Sequence, residues 1–168
     1  MSLEIAELFR RVTHGVYVIG VADGDKRNAF TAAWVMQVSF KPLMLAVSIN
    51  PSHSSYRLLR DSGRFSVAVL AKDQFDLALH FGQSATVDKL AGQAWHPSAR
   101  GVPMIDVGLA QFECVFESEC AAGDHRVVVG RVIDGALLRP DAPMMTYRDT
   151  GDADGAAMFF PDRFEPDA

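Results

Sequence analysis

The sequence predicts a mostly antiparallel β-barrel with short helices at its periphery. Runs of β-branched and aromatic residues follow one another with turn-forming residues between them, as in sheets built from hairpins. The helical segments between these runs are short, which disfavours a sheet of parallel strand–helix–strand units. The chain has 168 residues, of which 49% are hydrophobic and 22% are charged, so its length and composition are those of one globular domain.

The predicted elements of the N-terminal half are separated by turn-forming residues. Apolar residues recur at helical spacing before Gly15, and β-branched and aromatic residues cluster after it. Pro42 ends one of the strands because a proline has no N–H group to donate within a sheet. In chain order, the elements are a helix over Leu3–Val12, a strand over Val16–Val21, a turn over Asp23–Asn28, and strands over Ala29–Phe40 and Leu43–Ile49.

In the C-terminal half, one long segment alternates clearly between apolar and polar residues. Cys114 and Cys120 lie an even number of residues apart on it, so we expect both to face the core. Asp73 is expected to cap a helix that ends at Gly82. The elements are a helix over Tyr56–Asp61 that stops at Gly63, a strand over Phe65–Leu70, the helix after Asp73, an irregular segment over Gln83–Pro103, a strand over Leu109–Cys120, a turn over Ala122–His125 and a strand over Arg126–Leu138.

Composition and charge exclude several classes of function. The 16 basic and 21 acidic residues give a net charge of −5, which would repel the phosphates of a nucleic acid. The cysteines and histidines have no metal-ligand spacing, so no metal site is predicted. No apolar run approaches the roughly 20 residues of a membrane span, and residues 1–11 lack the apolar stretch of a signal peptide. We therefore expect a cytoplasmic protein without a membrane or nucleic-acid partner.

Three local features are candidates for a binding site, and each has a purely structural alternative. Ser52, Ser54 and Ser55 stand at the start of a predicted helix, where free N–H groups bind anions, but a serine there can equally be a cap. Small residues before Trp34 would let a flat ring approach the backbone, whereas a strand tryptophan is often a core residue. His125 follows a tight Gly-Asp turn, either as a donor or proton carrier or as a solvated turn residue.

Short motifs follow one another in a characteristic order from about Phe9 to about Tyr147. They are Gly15–Ile19, Thr31–Ala33, Val38–Pro42, Ala46–Ile49, the serine-led helix, Gly63–Leu70, His80-Phe81, Asp88–Leu90, Gly123–His125 and Val129–Val132. The glycine-aspartate-histidine turn is the most specific of these motifs. In this order they resemble the motifs of the flavin reductase-like proteins, whose fold is the FMN-binding split barrel.

The resemblance implies a homodimer of antiparallel split β-barrels that binds FMN or FAD and reduces it with NADH or NADPH. Many proteins of the family pass the reduced flavin to a separate monooxygenase. We accordingly predict a flavin reductase-like domain over residues 1–148 and an acidic tail over residues 149–168. The apolar cluster Met158–Phe160 in this tail is expected to lie against the partner subunit or across the flavin pocket.

The resemblance also implies roles for individual residues. The flavin ring and ribityl chain would lie along Thr31, Ala32, Ala33, Trp34, Gln37, Val38 and Ser48, the phosphate would bind Ser54, Ser55 and the charged Lys89, and His125 would lie at the nicotinamide side. The chain departs from the family at Ala33-Trp34, where asparagine and serine are frequent, and at Gln37, where serine is frequent. Two other functions stay open: a non-catalytic flavin-binding or storage protein, and a flavin-based electron-transfer protein.

Overall fold

The structure is a computed structural model, and it describes residues 2–84 and 86–164, with side chains from residue 5 onward. In chain order, the elements are α1 (Ser2–Phe9), β1 (Tyr17–Asp23), β2 (Lys26–Ala32), β3 (Val35–Phe40), β4 (Leu43–Ile49), α2 (Ser54–Ser62), β5 (Arg64–Val69), α3 (Phe75–Phe81), β6 (Trp95–Pro97), β7 (Pro103–Ile105), β8 (Ala110–Ala122) and β9 (His125–Leu137). Two short 3₁₀ helices follow over Tyr147–Thr150 and Ala156–Phe159. None of the helices in these described ranges is both long and apolar enough to cross a membrane.

Seven strands form one antiparallel sheet in the order β2-β1-β5-β8-β9-β4-β3. The prediction of a mostly β, antiparallel fold with few helices is confirmed. The sheet itself is not closed into a barrel, because within the described residues the edge strands β2 and β3 do not pair, so the split barrel stays a prediction. Closure needs a particular stagger between the first and last strands, and no local sequence signal reports that stagger. The chain nevertheless passes directly from one edge strand to the other.

The strand predicted over Ala29–Phe40 is in fact two strands. The first ends at Ala32 and the second begins at Val35, and they occupy opposite edges of the sheet. Trp34 therefore lies in the link between two strands rather than in the middle of one. The sequence does not mark this break, because neither alanine nor tryptophan has the turn preference of Gly, Pro, Asn or Asp.

Two clusters of buried apolar side chains hold the helices against the sheet. In the first cluster, Ile19 and Phe65 of the sheet pack with Leu59 of α2. In the second cluster, Leu70 packs with Phe81 of α3 and with buried residues that follow α3 in the sequence. Burial of apolar surface is the main stabilising contribution in such a core. Both helices also contact β2, so the core fixes their position relative to the end of that strand.

Strand β8 departs from regular alternation. Its pairing with β9 shifts register between Phe116 and Ser118, where Glu117 is the extra residue on β8. An extra residue moves every following side chain to the opposite face of the strand. Cys114 is consequently buried and Cys120 exposed, so the prediction that both cysteines face the core is wrong for Cys120.

The C-terminal ends of α2 and α3 lie at Gly63 and Gly82, as the sequence predicts, whereas the N-terminal caps of both helices differ. Gly63 ends α2 in the left-handed conformation, with φ of 66°, as its position in the sequence predicts. The cap at the start of α2 is His53, whose Nδ1 accepts a hydrogen bond from the backbone N–H two residues further on. The predicted Asp73 cap is wrong, because α3 begins after Gln74 and the Asp73 carboxylate pairs with Arg139 at 2.8 Å.

Candidate functional site

A cavity of about 830 Å³ lies beside the link between β2 and β3. This volume is within the range of small-molecule and cofactor sites. Five parts of the chain enclose it: the region of α1, the β2–β3 link, the end of β4 with the loop to α2, the β8–β9 turn and the C-terminal segment. The predicted site residues that line it are Thr31, Ala32, Ala33, Trp34, Ser48 and His125.

A hydrogen bond holds each end of the link from Thr31 to Trp34 in place. The Thr31 hydroxyl donates to the carbonyl of Ala78 in α3 at 2.6 Å. The carbonyl of Trp34 accepts from the backbone N–H of Ser48 in β4 at 2.9 Å. Between these two anchors the side chains are methyl groups, which leave room for a planar ligand to approach the backbone. This part of the cavity wall is therefore held in position, and only short side chains project from it.

His125 is held from two sides. Its ring centroid lies 4.9 Å from that of Trp34, with the planes tilted by 58°. Its Nδ1 lies 2.8 Å from a carboxylate oxygen of Asp124, and this hydrogen bond lowers the pKa of Asp124, which favours the charged carboxylate. A carboxylate can only accept, so Nδ1 carries the proton and Nε2 of the neutral ring is an acceptor.

A second pair of rings lines the cavity near the start of α2. The centroids of Phe30 and His53 lie 4.7 Å apart. Burial, and the positive charge of Lys89, lower the pKa of the His53 imidazole and so favour its neutral form. His53 is not among the site residues predicted from the sequence, although it lies within the polar loop that contains the three candidate serines. That loop was the available signal, but a helix cap is not distinguishable from a ligand contact by sequence.

The three predicted phosphate residues do not line this cavity. Ser54 is exposed in the first turn of α2, whereas Ser55 is buried and its hydroxyl accepts from the Asn28 amide at 2.8 Å. Lys89 is also buried, and its ammonium donates to two backbone carbonyls at 3.0 and 3.2 Å. Burial lowers the pKa of this ammonium. A phosphate-binding role for these residues stays a prediction.

Gln37 and Val38 lie on β3, away from the cavity lining. Both are exposed on this edge strand, and the Gln37 amide bonds to the carbonyl of Ser39 at 3.4 Å. The structure thus separates them from Trp34, which the sequence analysis placed on the same strand. Their predicted contact with a flavin stays a prediction.

The C-terminal segment supplies cavity residues that the sequence analysis did not select individually. Tyr147 donates a hydrogen bond to Asp154 at 2.7 Å, and burial together with this carboxylate raises the pKa of the phenol. Asp152 lies 3.5 Å from Arg10, and Phe160 packs against Phe9 with centroids 5.4 Å apart. Phe160 of the predicted apolar cluster thus packs within the chain, whereas Met158 and Phe159 are 80% and 79% exposed, so the expected position of the whole cluster stays a prediction. This cluster was the only signal of the segment in the sequence.

No metal centre accompanies this cavity. Across residues 2–84 and 86–164, no group of three or more His, Cys, Asp and Glu side chains is arranged to hold a metal ion. The site consists instead of small residues, aromatic rings, hydroxyls and a carboxylate-bound histidine. A mostly apolar cavity with a few polar groups is typical of sites that bind small molecules and cofactors.

The chain belongs to the flavin reductase like domain family, whose model matches residues 9–155. The ferric-chelate reductase (NAD(P)H) of Archaeoglobus fulgidus is 28% identical over 85% of this chain and 86% of its own length. The reductase subunit HsaB of a flavin-dependent monooxygenase from Rhodococcus jostii is 32% identical over 80% of this chain and 68% of its own. Other curated relatives are much longer, and this chain spans 25% of their length.

A solved structure supports the same family. The NADH:FAD oxidoreductase SgcE6 of Streptomyces globisporus, in complex with NAD and FAD fragments, superposes with a TM-score of 0.81 at 26% identity. The match covers 99% of this chain and 94% of that chain. The long C-terminal segment is thus included in the matched part.

The lining of the cavity fits the flavin that the family implies. The methyl side chains of Ala32 and Ala33 leave space for a planar ring system beside the backbone. Thr31, Ser48 and Asn50 offer hydroxyl and amide groups to its polar edge. The residues present therefore match a flavin in shape and in hydrogen-bonding capacity.

Proposed function

We propose that the protein is an NAD(P)H-dependent flavin reductase that takes FMN or FAD. The observation that carries this proposal is the wall of small residues from Thr31 to Ala33 beside the fixed pair of Trp34 and His125. The relatives named as NAD(P)H-dependent reductases support it. As in the relatives named as monooxygenase or halogenase components, the reduced flavin would serve a separate oxygenase.

The contribution of the chain to this reaction is positioning. A bound flavin supplies the hydride-accepting ring, and hydride transfer requires the nicotinamide ring to lie at about 3–3.5 Å from it. The Thr31–Ala33 wall would set the depth of the first ring in the cavity. His125 would present Nε2 as an acceptor to the carboxamide N–H of the nicotinamide, because Asp124 holds the other nitrogen. Trp34 would restrict the tilt of the His125 ring.

The phosphate end of the flavin would extend from the cavity to the start of α2. This helix N-terminus carries Ser54 and Ser55, and the partial positive charge of the helix dipole favours an anion there. The positive charge of Lys89 reaches this region, since it lowers the pKa of His53. Together these groups would favour FMN over an uncharged flavin.

A homodimer of split barrels is the assembly we propose. Strand β3 is an edge strand, and it presents Met36, Val38 and Phe40 to solvent in the isolated chain, with Leu43 of β4 beside them. An exposed apolar edge of this kind also carries unpaired N–H and C=O groups and is a site of association. A second copy of this chain would cover both the exposed apolar side chains and the unpaired N–H and C=O groups of this edge.

The function is tested by following NADH and NADPH oxidation by the purified protein with FMN, with FAD and without added flavin. We expect oxidation that depends on flavin. Flavin binding without nicotinamide oxidation would identify a storage protein, and electron transfer only from a protein donor would identify a flavin-based carrier. Absence of any flavin absorbance or fluorescence change at tens of micromolar protein would refute flavin binding itself.

A further inference from the structure

The segment from Asp152 to Phe160 forms one side of the cavity. An ion pair and an aromatic contact hold it against the rest of the chain. Near α1, the Arg10 guanidinium pairs with the Asp152 carboxylate at 3.5 Å. Further along, the rings of Phe9 and Phe160 pack at 5.4 Å between centroids. Both contacts join the C-terminal segment to the region of α1, and all four residues line the cavity.

The carboxylates of this segment also hold its own backbone. Asp152 accepts from the N–H of Ala157 at 2.9 Å, and Asp154 accepts from the N–H of Ala156 at 3.1 Å. Each carboxylate therefore organises the 3₁₀ turn while it bonds to a group outside the segment. The turn therefore has hydrogen bonds of its own besides the contacts that join it to the rest of the chain.

Asp154 bonds to Tyr147 at a boundary between two cavities. A smaller cavity of about 220 Å³ lies on the α3 side of the β2–β3 link. Both cavities are lined by Thr31, Ala32 and Ala33 of the link and by Tyr147 and Asp154. The phenol–carboxylate bond is thus part of the wall that separates them.

We propose that the segment from Asp152 to Phe160 covers one side of the cavity and slows the release of bound flavin. Contacts with Arg10, Tyr147 and Phe9 hold this retaining segment in place. This inference rests on the proposed function. Phe160 lies outside the residues 9–155 that the family model matches. The ligand held is the planar, uncharged end of the flavin, because the acidic segment would repel a phosphate.

The test is the dissociation rate of FMN from the full chain and from two truncated chains, measured by the recovery of flavin fluorescence on dilution. A chain that ends at Gly155 lacks the 3₁₀ turn and Phe160, and we expect its FMN to leave at least about 10-fold faster. A chain that ends at Arg163 keeps every contact described above and should match the full chain. Circular dichroism and thermal melting verify that each truncated chain is folded.

Point variants locate the effect at the individual contacts. Phe160→Ala should speed FMN release by about 2- to 10-fold, the range expected for loss of one aromatic pair. Arg10→Gln should speed it by up to about 5-fold at low salt and have no effect in high salt, since an exposed ion pair is weak and screened. Arg11→Gln is the matched control, because Arg11 pairs with Glu7 at 2.6 Å and not with the C-terminal segment.

The outcomes separate this inference from the proposed function. An unchanged rate of FMN release from the chain that ends at Gly155 would overturn the role of the retaining segment while leaving flavin binding established. Equal effects of Arg10→Gln and Arg11→Gln would overturn the role of the Arg10–Asp152 pair. A full chain that binds no flavin would overturn the proposed function, and this inference with it.

Discussion

The indole ring of Trp34 contacts the imidazole ring of His125, with 4.9 Å between their centroids. The two residues are 91 positions apart in sequence, on the β2–β3 link and at the start of β9, and β4 lies between those two elements. Asp124 fixes the other side of the imidazole at 2.8 Å. The orientation of one histidine thus depends on elements from both halves of the chain.

Replacement of His125 by alanine should slow flavin reduction while leaving FMN affinity unchanged. General acid–base groups contribute about 10²–10⁴-fold, and for a partly exposed group that only positions the nicotinamide through an accepted hydrogen bond we expect about 10- to 100-fold in kcat/KM for NAD(P)H. Stopped-flow reduction of bound flavin measures this rate. His96→Ala is the matched control, because His96 has the same kind of carboxylate partner, Asp106, at 2.7 Å. A wild-type rate for His125→Ala would make His125 a solvated turn residue.

Replacement of Ser54 and Ser55 by alanine should weaken FMN binding more than riboflavin binding, since only FMN has a phosphate. The two single variants should differ in stability. Ser55→Ala leaves the half-buried Asn28 amide without its acceptor, and loss of this hydrogen bond costs about 0.5–1.5 kcal/mol, whereas Ser54→Ala should be almost neutral. Fluorescence titration with both ligands and thermal melting measure these effects. Equal losses for FMN and riboflavin would show that the phosphate lies elsewhere.

Replacement of Met36 by glutamate should convert the proposed dimer into a monomer. Met36 is 63% exposed on the unpaired edge strand β3, and a buried charge at a subunit interface is strongly unfavourable. Leu137→Glu is the matched control, since Leu137 is 69% exposed at the far end of β9. Sedimentation velocity at micromolar concentration distinguishes the two states. A wild-type protein that sediments as a monomer would contradict the assembly.

The native protein should have one thiol that reacts with a disulfide reagent at about pH 8, and two after unfolding. Cys120 is exposed, whereas burial raises the pKa of the Cys114 thiol from 9.0 to about 12. Because the pKa is raised in the folded state, this group should lower the free energy of unfolding as the pH rises from 9.0 towards 12. Cys120→Ser should abolish the native reaction, and a residual fast thiol in that variant would contradict the assignment.

The sequence predicts those elements whose cause is local. The strand Leu43–Ile49 has its predicted bounds, and α2 stops at Gly63 as its sequence indicates. The motif order identifies the family, and six of the predicted site residues line one cavity. Each of these results depends on side-chain type and spacing along the chain, which the sequence displays directly.

Features that depend on distant partners were not predictable in this way. The outward position of Cys120 follows from a register shift against β9, and alternation alone does not reveal an extra residue. Ser55 is buried because Asn28 of β2 reaches it, and His53 caps α2 although histidine is not a preferred cap. In each case the decisive contact comes from tertiary structure.

The direct passage from β2 to β3 has a mechanical consequence. Three residues of chain lead from Ala32 to Val35 and span at most about 10–11 Å, so strands at opposite ends of the pairing order are tethered side by side. The tether is also the wall on which a planar ligand would lie. A ligand there would contact the link that joins the two edge strands. Amide hydrogens of β2 and β3 should therefore gain protection together on binding, although five other strands separate them in the hydrogen-bonded order.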